Sequence, residues 1–326
     1  MDRRRQIIHE WLESIFPADE VSLTPASSDA SFRRYFRLQI ESTTLIVMDA
    51  PPEHEEITTF CRIGRRFHQL GINVPEILEA DEVKGLVLMT DLGAQHYLDS
   101  LNNNTADQLY SDALDCLITL QSGAFTEPDF LPPYSAELLR REMNLFREWY
   151  LTRHLGLQIS AEEHRIMDDA WEILIKSALE QPQLWVHRDY HSRNLMVTEN
   201  NNPGVIDFQD AVTGPITYDL VSLLKDCYIE WPTERVNDWV LGYHGRALQS
   251  GLLEKVDKQQ FMRWFQRMGI QRHLKVAGIF ARLSHRDGKD RYLDDIPLTM
   301  HYLLAALKDD TELSSLYNLI VSRIEG

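Results

Sequence analysis

A short run near the middle of the chain, His187-Arg188-Asp189-Tyr190-His191-Ser192-Arg193-Asn194, holds its densest set of residues able to do chemistry. Val205-Ile206-Asp207-Phe208 follows after a polar turn. The segment between Asn194 and Asp207 reads as a hairpin, because apolar Leu195-Met196-Val197 and Val205-Ile206 flank Thr198-Glu199-Asn200-Asn201-Asn202-Pro203-Gly204. With the turn centred between Asn200 and Asn201, Asn194 lies opposite Asp207, and cross-strand neighbours on one face sit roughly 5 Å apart. At that spacing an amide oxygen and a carboxylate share one divalent ion. Asp189, on the loop just before, supplies a second carboxylate to orient and deprotonate a hydroxyl. This is the equipment of phosphoryl transfer, in which magnesium neutralises the phosphates and one acid positions the acceptor.

Around this run the pattern divides in two. Residues 31–40 and 43–48 read as a pair of strands bending at Glu41-Ser42, and 74–79 and 85–89 as two more. Between the pairs, 53–70 has helical spacing at Ile57, Phe60, Gly64 and Phe67, with Gly71 as its stop. After Asp91-Leu92-Gly93 the chain turns helical, with helices expected near 105–121, 135–155, 161–180, 216–229, 233–250, 258–283, 294–308 and 311–324. The hairpin described above is the one strong strand signal among them. A small β-rich lobe over residues 1–92 and a large, mostly helical lobe over 93–326 would leave a cleft, where ligands commonly bind.

Composition narrows the class. A net charge of −17 over 326 residues argues against a nucleic-acid partner, which needs a basic surface. Cys61, Cys116 and Cys227 are far apart and lack a Cys-x-x-Cys spacing, which points away from a disulfide framework or zinc site and towards a reducing cytoplasm. Residues 6–13 are too few and too charged for a signal core, and no apolar run approaches membrane-spanning length. A cytoplasmic protein with neither membrane nor nucleic acid as partner is expected.

The constellation Asp189, Asn194, Asp207 resembles the kinase catalytic loop and metal-binding Asp. In detail it is more similar to the aminoglycoside phosphotransferase and choline kinase branch: Gln209 stands where a protein kinase has the Gly of Asp-Phe-Gly, no Ala-Pro-Glu follows, and Gly214-Pro215-Ile216-Thr217-Tyr218-Asp219-Leu220 matches this branch. The resemblance implies an α+β, two-lobed protein-kinase-like fold that uses ATP and Mg2+. Asp189 would be the catalytic acid group, Asn194 and Asp207 the metal ligands, and Asp219 a support for the loop that His187 and Arg188 shape. The order strand, strand, helix, strand, strand is that of such a fold's small lobe.

The nucleotide features are less regular. Residues 27–37 occupy the place of the phosphate-covering loop but contain no glycine. Ser31 and its small neighbours would let backbone N–H groups approach phosphate. Arg33 and Arg34 would add charge there, or be solvated arginines on an exposed turn. Thr90 and Leu92 fall at the hinge that meets adenine, with Met89 lining the pocket or serving as plain core. Met48 stands where the phosphate-binding Lys is expected, so Glu55 or Glu56 lacks its usual partner and Arg33 or Arg34 is the candidate replacement.

The strings 32–37, 47–53, 187–194, 207–212 and 271–283 together resemble the anomeric sugar kinases of bacterial cell-wall recycling, over nearly the whole chain. That resemblance implies phosphorylation of the small amino sugars N-acetylmuramate and N-acetylglucosamine at the anomeric carbon, and it makes the absent Lys a family trait. Between Arg263 and Arg291 the chain has eight Lys or Arg against two Asp. On a helix Arg272, Lys275, Arg282 and Arg286 share one arc opposite Ile270, Leu274, Ala277 and Ala281. A cationic face suits a carboxylate such as the lactyl group of muramate; a solvated face paired with surrounding acids is the alternative. His273 would touch sugar hydroxyls or be structural, and Asp210 is placed to assist metal or substrate. An aminoglycoside substrate would instead need acids such as Asp210, Asp226 and Glu230. Choline would need an aromatic cage, to which Trp231 and Trp264 could contribute, but the sequence shows no aromatic cluster. A nucleotide-binding scaffold without catalysis is the reading of another class, favoured only by the missing Lys.

Overall fold

The computed structural model describes residues 3–17, 22–28 and 33–324, which form two compact units. The first comprises residues 1–100 with 194–210, the second 101–193 with 211–326. The expected α+β, kinase-like division into a small sheet-based part and a mostly helical part is what the chain adopts.

The first unit is built on an antiparallel sheet of five strands, β1 (Ser22–Ser28), β2 (Arg34–Ile40), β3 (Thr43–Asp49), β4 (Ile77–Asp81) and β5 (Leu86–Thr90), in the order β1-β2-β3-β5-β4. The β2–β3 register, Arg34↔Asp49 to Ile40↔Thr43, places the bend at Glu41-Ser42 as the sequence indicates, with Glu41 at φ 48. Helix α1 (Arg3–Ile15) is an element the sequence reading did not contain. Its Ile8, Trp11 and Leu12, spaced for one helical face, are buried with Phe36, Leu38, Val47, Leu86 and Leu88 of the sheet. Helix α2 (Ile57–Gln69) starts later than expected because Pro51-Pro52 precedes it and residues 51–55 form a turn, with His54 and Glu55 N–H both donating to the Pro51 carbonyl. Gly71, at φ 85, ends it.

In the second unit most helices fall where the apolar periodicity puts them. The helix Lys258–Asp287 is the exception in character. Its residues from Phe261 to Ala281 are buried on nearly every side, among them Arg272 and Lys275, because the helices Ala136–Leu145, Ala161–Leu179, Tyr218–Leu224 and Ile296–Asp309 surround it. Asp257 caps its start by accepting from Gln260 N–H at 2.8 Å, and Gly288 closes it at φ 66. The expected helix 135–155 is two pieces, an α-helix to Leu145 and a wider π-type turn over Phe146–His154. Gly278 packs against the junction: a Cβ there would lie 2.3 Å from Leu145 C and 2.5 Å from Phe146 N. Gly278→Ala is therefore expected to destabilise the protein by about 3 kcal/mol. A thermal melt checks this, and an unchanged melting temperature would show that the helices separate without cost.

A strand pair the sequence reading also lacked, Gln183–Val186 with Val212–Pro215, runs antiparallel and aligns Val186 with Val212. It matters because the chain leaves one strand into the 187–193 loop and the other into the short helix carrying Asp219. Among the described residues no helix is long and apolar enough to cross a membrane.

Candidate active site

In the first unit, the hairpin strands Leu195–Met196 and Gly204–Val205 pair as Leu195↔Val205 and Met196↔Gly204. Asn194 thus faces Ile206, whose N–H donates to its carbonyl at 3.1 Å, one residue out from the expected register. The two side chains meet nonetheless. Asp207 leaves the strand at φ 66, a left-handed conformation that Asp tolerates better than most residues. Asn194 Nδ2 donates to Asp207 Oδ2 at 3.3 Å. Phe208 anchors the bend: it is fully buried, its ring centroid 4.9 Å from Phe60 and 5.9 Å from Phe67 on α2. Gly64 leaves room for it, since a Cβ there would come within 2.9 Å of the ring. Gln209 Nε2 donates to Asp207 Oδ1 at 2.7 Å, while its Oε1 is buried without a hydrogen-bond partner among the described residues. Turning the Asn194 amide over would present Oδ1 beside the carboxylate. Carboxylate, amide oxygen and an orphaned second amide oxygen are hard donors of the kind magnesium takes. Asp210 is exposed at the end of the same segment.

The nucleotide-side candidates are also in this unit, except Ser31, which lies outside the described residues. Met48 is fully buried on β3. Its neighbour Asp49, equally buried, accepts from Arg34 Nε at 2.9 Å and Nη2 at 2.5 Å, and from Arg4 of α1. Arg34 is thereby tied into the sheet edge. Arg33 instead pairs with Glu55, Nη2 at 2.8 Å and Nε at 3.1 Å from Oε2. Met89 is core at 2% exposed. The Thr90 N–H already donates to Glu76 O at 3.0 Å, and its hydroxyl accepts from Glu76 N–H at 2.9 Å. Beyond it, Asp91 accepts from Arg37 Nε at 2.6 Å and Gly93 N–H at 2.9 Å, which fixes the backbone around Leu92. Arg37 and Asp91 were not singled out from sequence, although both stand in motifs quoted there.

The second unit holds the 187–193 loop. Arg188 sits at φ 78, an outlier for a bulky side chain. Asp219, fully buried, stabilises that turn by accepting from His187 N–H at 2.6 Å (Oδ2) and Arg188 N–H at 3.0 Å (Oδ1). Burial and the charge of Asp189 push the Asp219 carboxyl up to about 7, against the pull of those two N–H groups. His187 is buried, and its Nδ1 accepts from Asp189 N–H at 3.3 Å.

Asp189 experiences the opposite balance. Burial pushes its carboxyl up, but Lys275, His191, Arg272 and Arg188 outweigh burial and hold it at about 2. The Lys and Arg groups among them are themselves fastened. Glu142 accepts from Arg188 Nη2 at 2.5 Å and lies 3.2 Å from Lys275 Nζ, which donates to Tyr218 Oη at 2.8 Å; the Tyr134 hydroxyl also donates to Glu142. Arg272 Nε donates to Ser222 Oγ at 2.5 Å, and its Nη1 is buried without a hydrogen-bond partner among the described residues. The cationic arc read from sequence is therefore split: Arg272 and Lys275 are internal and surround Asp189 electrostatically, whereas Arg286 is exposed and pairs with Asp287 at 2.7 Å. His273 is fully buried, stacked on Tyr302 with 5.2 Å between centroids, and bonded through Nε2 to Lys225 O at 3.0 Å. Burial holds it at about 3, hence neutral. In that setting it packs the helix. Tyr218 stands in the quoted run 214–220 but was not singled out there; Glu142, Tyr134 and Ser222 were invisible from sequence because nothing in their local pattern distinguishes them.

Comparison with known proteins follows this geometry. The model of the phosphotransferase enzyme family matches residues 22–257. The chain is 44% identical to an N-acetylmuramate/N-acetylglucosamine kinase of Pseudomonas aeruginosa, covering 100% of this chain and 98% of that one. It is 41% identical to a protein of the same name from Neisseria meningitidis serogroup B, over 98% and 96%. Among solved structures, aminoglycoside 2'-phosphotransferase-IIIa in its GDP complex has a TM-score of 0.63 at 14% identity, over 91% and 98% of the two chains. Choline kinase LicA from Streptococcus pneumoniae has 0.61 at 12%, over 92% and 99%. The sheet-based and helical units, the Asn194–Asp207 pair and the Asp219-braced loop thus belong to a member of the phosphotransferase enzyme family, in its N-acetylmuramate/N-acetylglucosamine kinase group.

Proposed function

We propose that this chain transfers the γ-phosphoryl group of ATP to the anomeric hydroxyl of N-acetylmuramate and N-acetylglucosamine, as an amino-sugar kinase of cell-wall recycling. The relatives' names support the substrates, and the nucleotide-bound structures of the same fold support nucleotide use. The observation that carries the chemistry is Asp189, an anion held among cations on a loop whose strained turn Asp219 stabilises. A carboxylate held at about 2 is a weak base, so its main work is orientation. It accepts the hydrogen bond of the hemiacetal hydroxyl, aligns that oxygen, and takes the proton as the bond to phosphorus forms. The cations around Asp189 disfavour a polycationic aminoglycoside and a quaternary ammonium alike.

Magnesium, when bound at Asn194 and Asp207, would neutralise phosphate charge. Gln209 positions the Asp207 carboxylate for that duty. On the nucleotide side, Arg33 braced by Glu55 takes the part of the absent Lys, with the same cation–carboxylate logic delivered from the start of β2 rather than from β3. Adenine would meet the backbone at Leu92, since the Thr90 N–H is already used within the sheet.

Incubation with ATP, magnesium and each sugar should yield a sugar 1-phosphate, located by phosphorus NMR. ADP release with choline or an aminoglycoside but with neither sugar would overturn the reading. Arg33→Ala is expected to raise the KM for ATP about tenfold or more, the worth of a charge-assisted contact, with little change in KM for sugar. An unaltered ATP KM would remove Arg33 from the nucleotide site.

A further inference from the structure

The sugars of the proposed reaction differ in charge: muramate bears a lactyl carboxylate and glucosamine does not. Arg272 and Lys275, the cations that sequence periodicity suggests for reading that acid, are 2% and 6% exposed and are committed to Ser222, Tyr218 and Glu142. A different arginine has the required properties. Arg193, four residues after Asp189 on the same loop, stacks its guanidinium on Tyr228, 3.6 Å from Cζ to the ring centroid. It is half-buried, and among the described residues its N–H groups make no hydrogen bond or ion pair. Asp295 is close enough for Arg193 to lower its carboxyl, against a stronger upward push from burial, yet the two form no ion pair.

A guanidinium stacked flat on an aromatic ring is held in one orientation while its in-plane N–H edge stays available, the geometry that takes a carboxylate through two parallel bonds. Tyr228 is itself held by aromatic neighbours. Its ring meets His191 edge-on at 5.5 Å and lies 6.3 Å from Phe280, which stacks on Tyr292 at 5.5 Å. His191 feels the charge of Asp226, Asp189, Arg272 and Arg193, so the aromatic floor, Asp189 and this arginine belong to one neighbourhood. The Nδ1 of His191 is likewise buried without a partner among the described residues. A cation with unspent donors and an imidazole nitrogen with an unspent site, both against one aromatic ring, make a receptor for an acid on a polyhydroxylated ring.

We propose that Arg193, oriented by Tyr228, binds the carboxylate of the acceptor and sets the enzyme's preference between acidic and neutral amino sugars. The proposal rests on the sugar-kinase reading. The two sugars test it as a matched pair, by steady-state kinetics of wild type, Arg193→Ala, Arg193→Lys and Tyr228→Leu. Arg193→Ala should raise the KM for N-acetylmuramate about 10- to 100-fold, while that for N-acetylglucosamine moves less than about twofold and kcat changes little. Arg193→Lys should recover part of the loss, as a point charge without the paired geometry. Tyr228→Leu should shift the ratio in the same direction by less. Equal losses on both sugars, or an unchanged ratio of their kcat/KM values, would overturn the proposal and leave the kinase reading standing. A wild-type enzyme that phosphorylates neither sugar would overturn both.

Discussion

Asp189→Asn is expected to lower turnover about 10²- to 10⁴-fold, the range for losing a positioned acid–base group. Asn keeps the size and one acceptor oxygen but can neither carry the charge nor take the proton. The charge matters twice, because Lys275, Arg272 and Arg188 face the carboxylate in a buried setting and lose their shared counter-ion when it is neutralised. Some loss of stability should accompany the kinetic loss, so single-turnover rates need to be read beside a melt and a measured ATP affinity. Near-normal turnover with both sugars would remove Asp189 from the mechanism. The pH dependence follows from the same shift. With its carboxyl held at about 2, Asp189 stays ionised throughout the working range and contributes no acid limb between pH 5 and 9. The sign for stability is that of a depressed acid: its contribution is complete above the ordinary 3.8 and is lost as pH falls towards 2.

Asp219→Ala should be the most damaging change that touches no reacting atom. It strands two buried N–H groups, those of His187 and Arg188, and removes what holds Arg188 at φ 78. Each orphaned donor costs about 1–3 kcal/mol, and the unsupported turn adds to that, so a loss of about 3 kcal/mol or more is expected. Turnover should fall with it, because the same turn delivers Asp189, whereas the KM for ATP should hold. Asp219→Asn is no remedy: the two N–H groups use different oxygens, and an amide sets a donor against one of them. Melting temperature and kcat both unchanged would show that the loop is held by something else. Because burial raises this carboxyl to about 7, the folded protein keeps its proton where the unfolded chain has lost it. The contribution of Asp219 to stability therefore declines as pH rises from about 4 to about 7, and that slope should vanish in Asp219→Asn.

The candidate residues of the loop stand out in the sequence because Asp189, Asn194, Asp207 and Asp219 lie within 31 residues, at spacings set by local turns. The hairpin was legible too, but its register was not. A one-residue difference in turn placement moved Asn194 from Asp207 to Ile206, and only the positive φ of Asp207 restored the encounter. Helix α1 escaped because it is short, five of its 13 residues are charged, and it has no stability of its own until Ile8, Trp11 and Leu12 reach the sheet. Arg33 and Arg34 were equivalent candidates in the sequence; in the structure alternate residues of an extended chain face opposite ways, so Arg34 reaches Asp49 and Arg33 reaches Glu55, which is why Arg33 is the one proposed for the nucleotide.

What the sequence alone determined is whatever local order dictates: the 187–193 loop with its closely spaced polar residues, the hairpin after it, a β-rich beginning and a helical remainder. The tertiary structure alone decided which charges are working groups. Periodicity assumes that a polar stripe on a helix faces water, but the helix Lys258–Asp287 is enclosed on nearly all sides, so Arg272 and Lys275 became internal counter-ions of Asp189. Glu142, the partner of Lys275, lies about 130 residues away along the chain and carries no motif. Burial and long-range pairing set the charge state of a group, and neither is written in its neighbours.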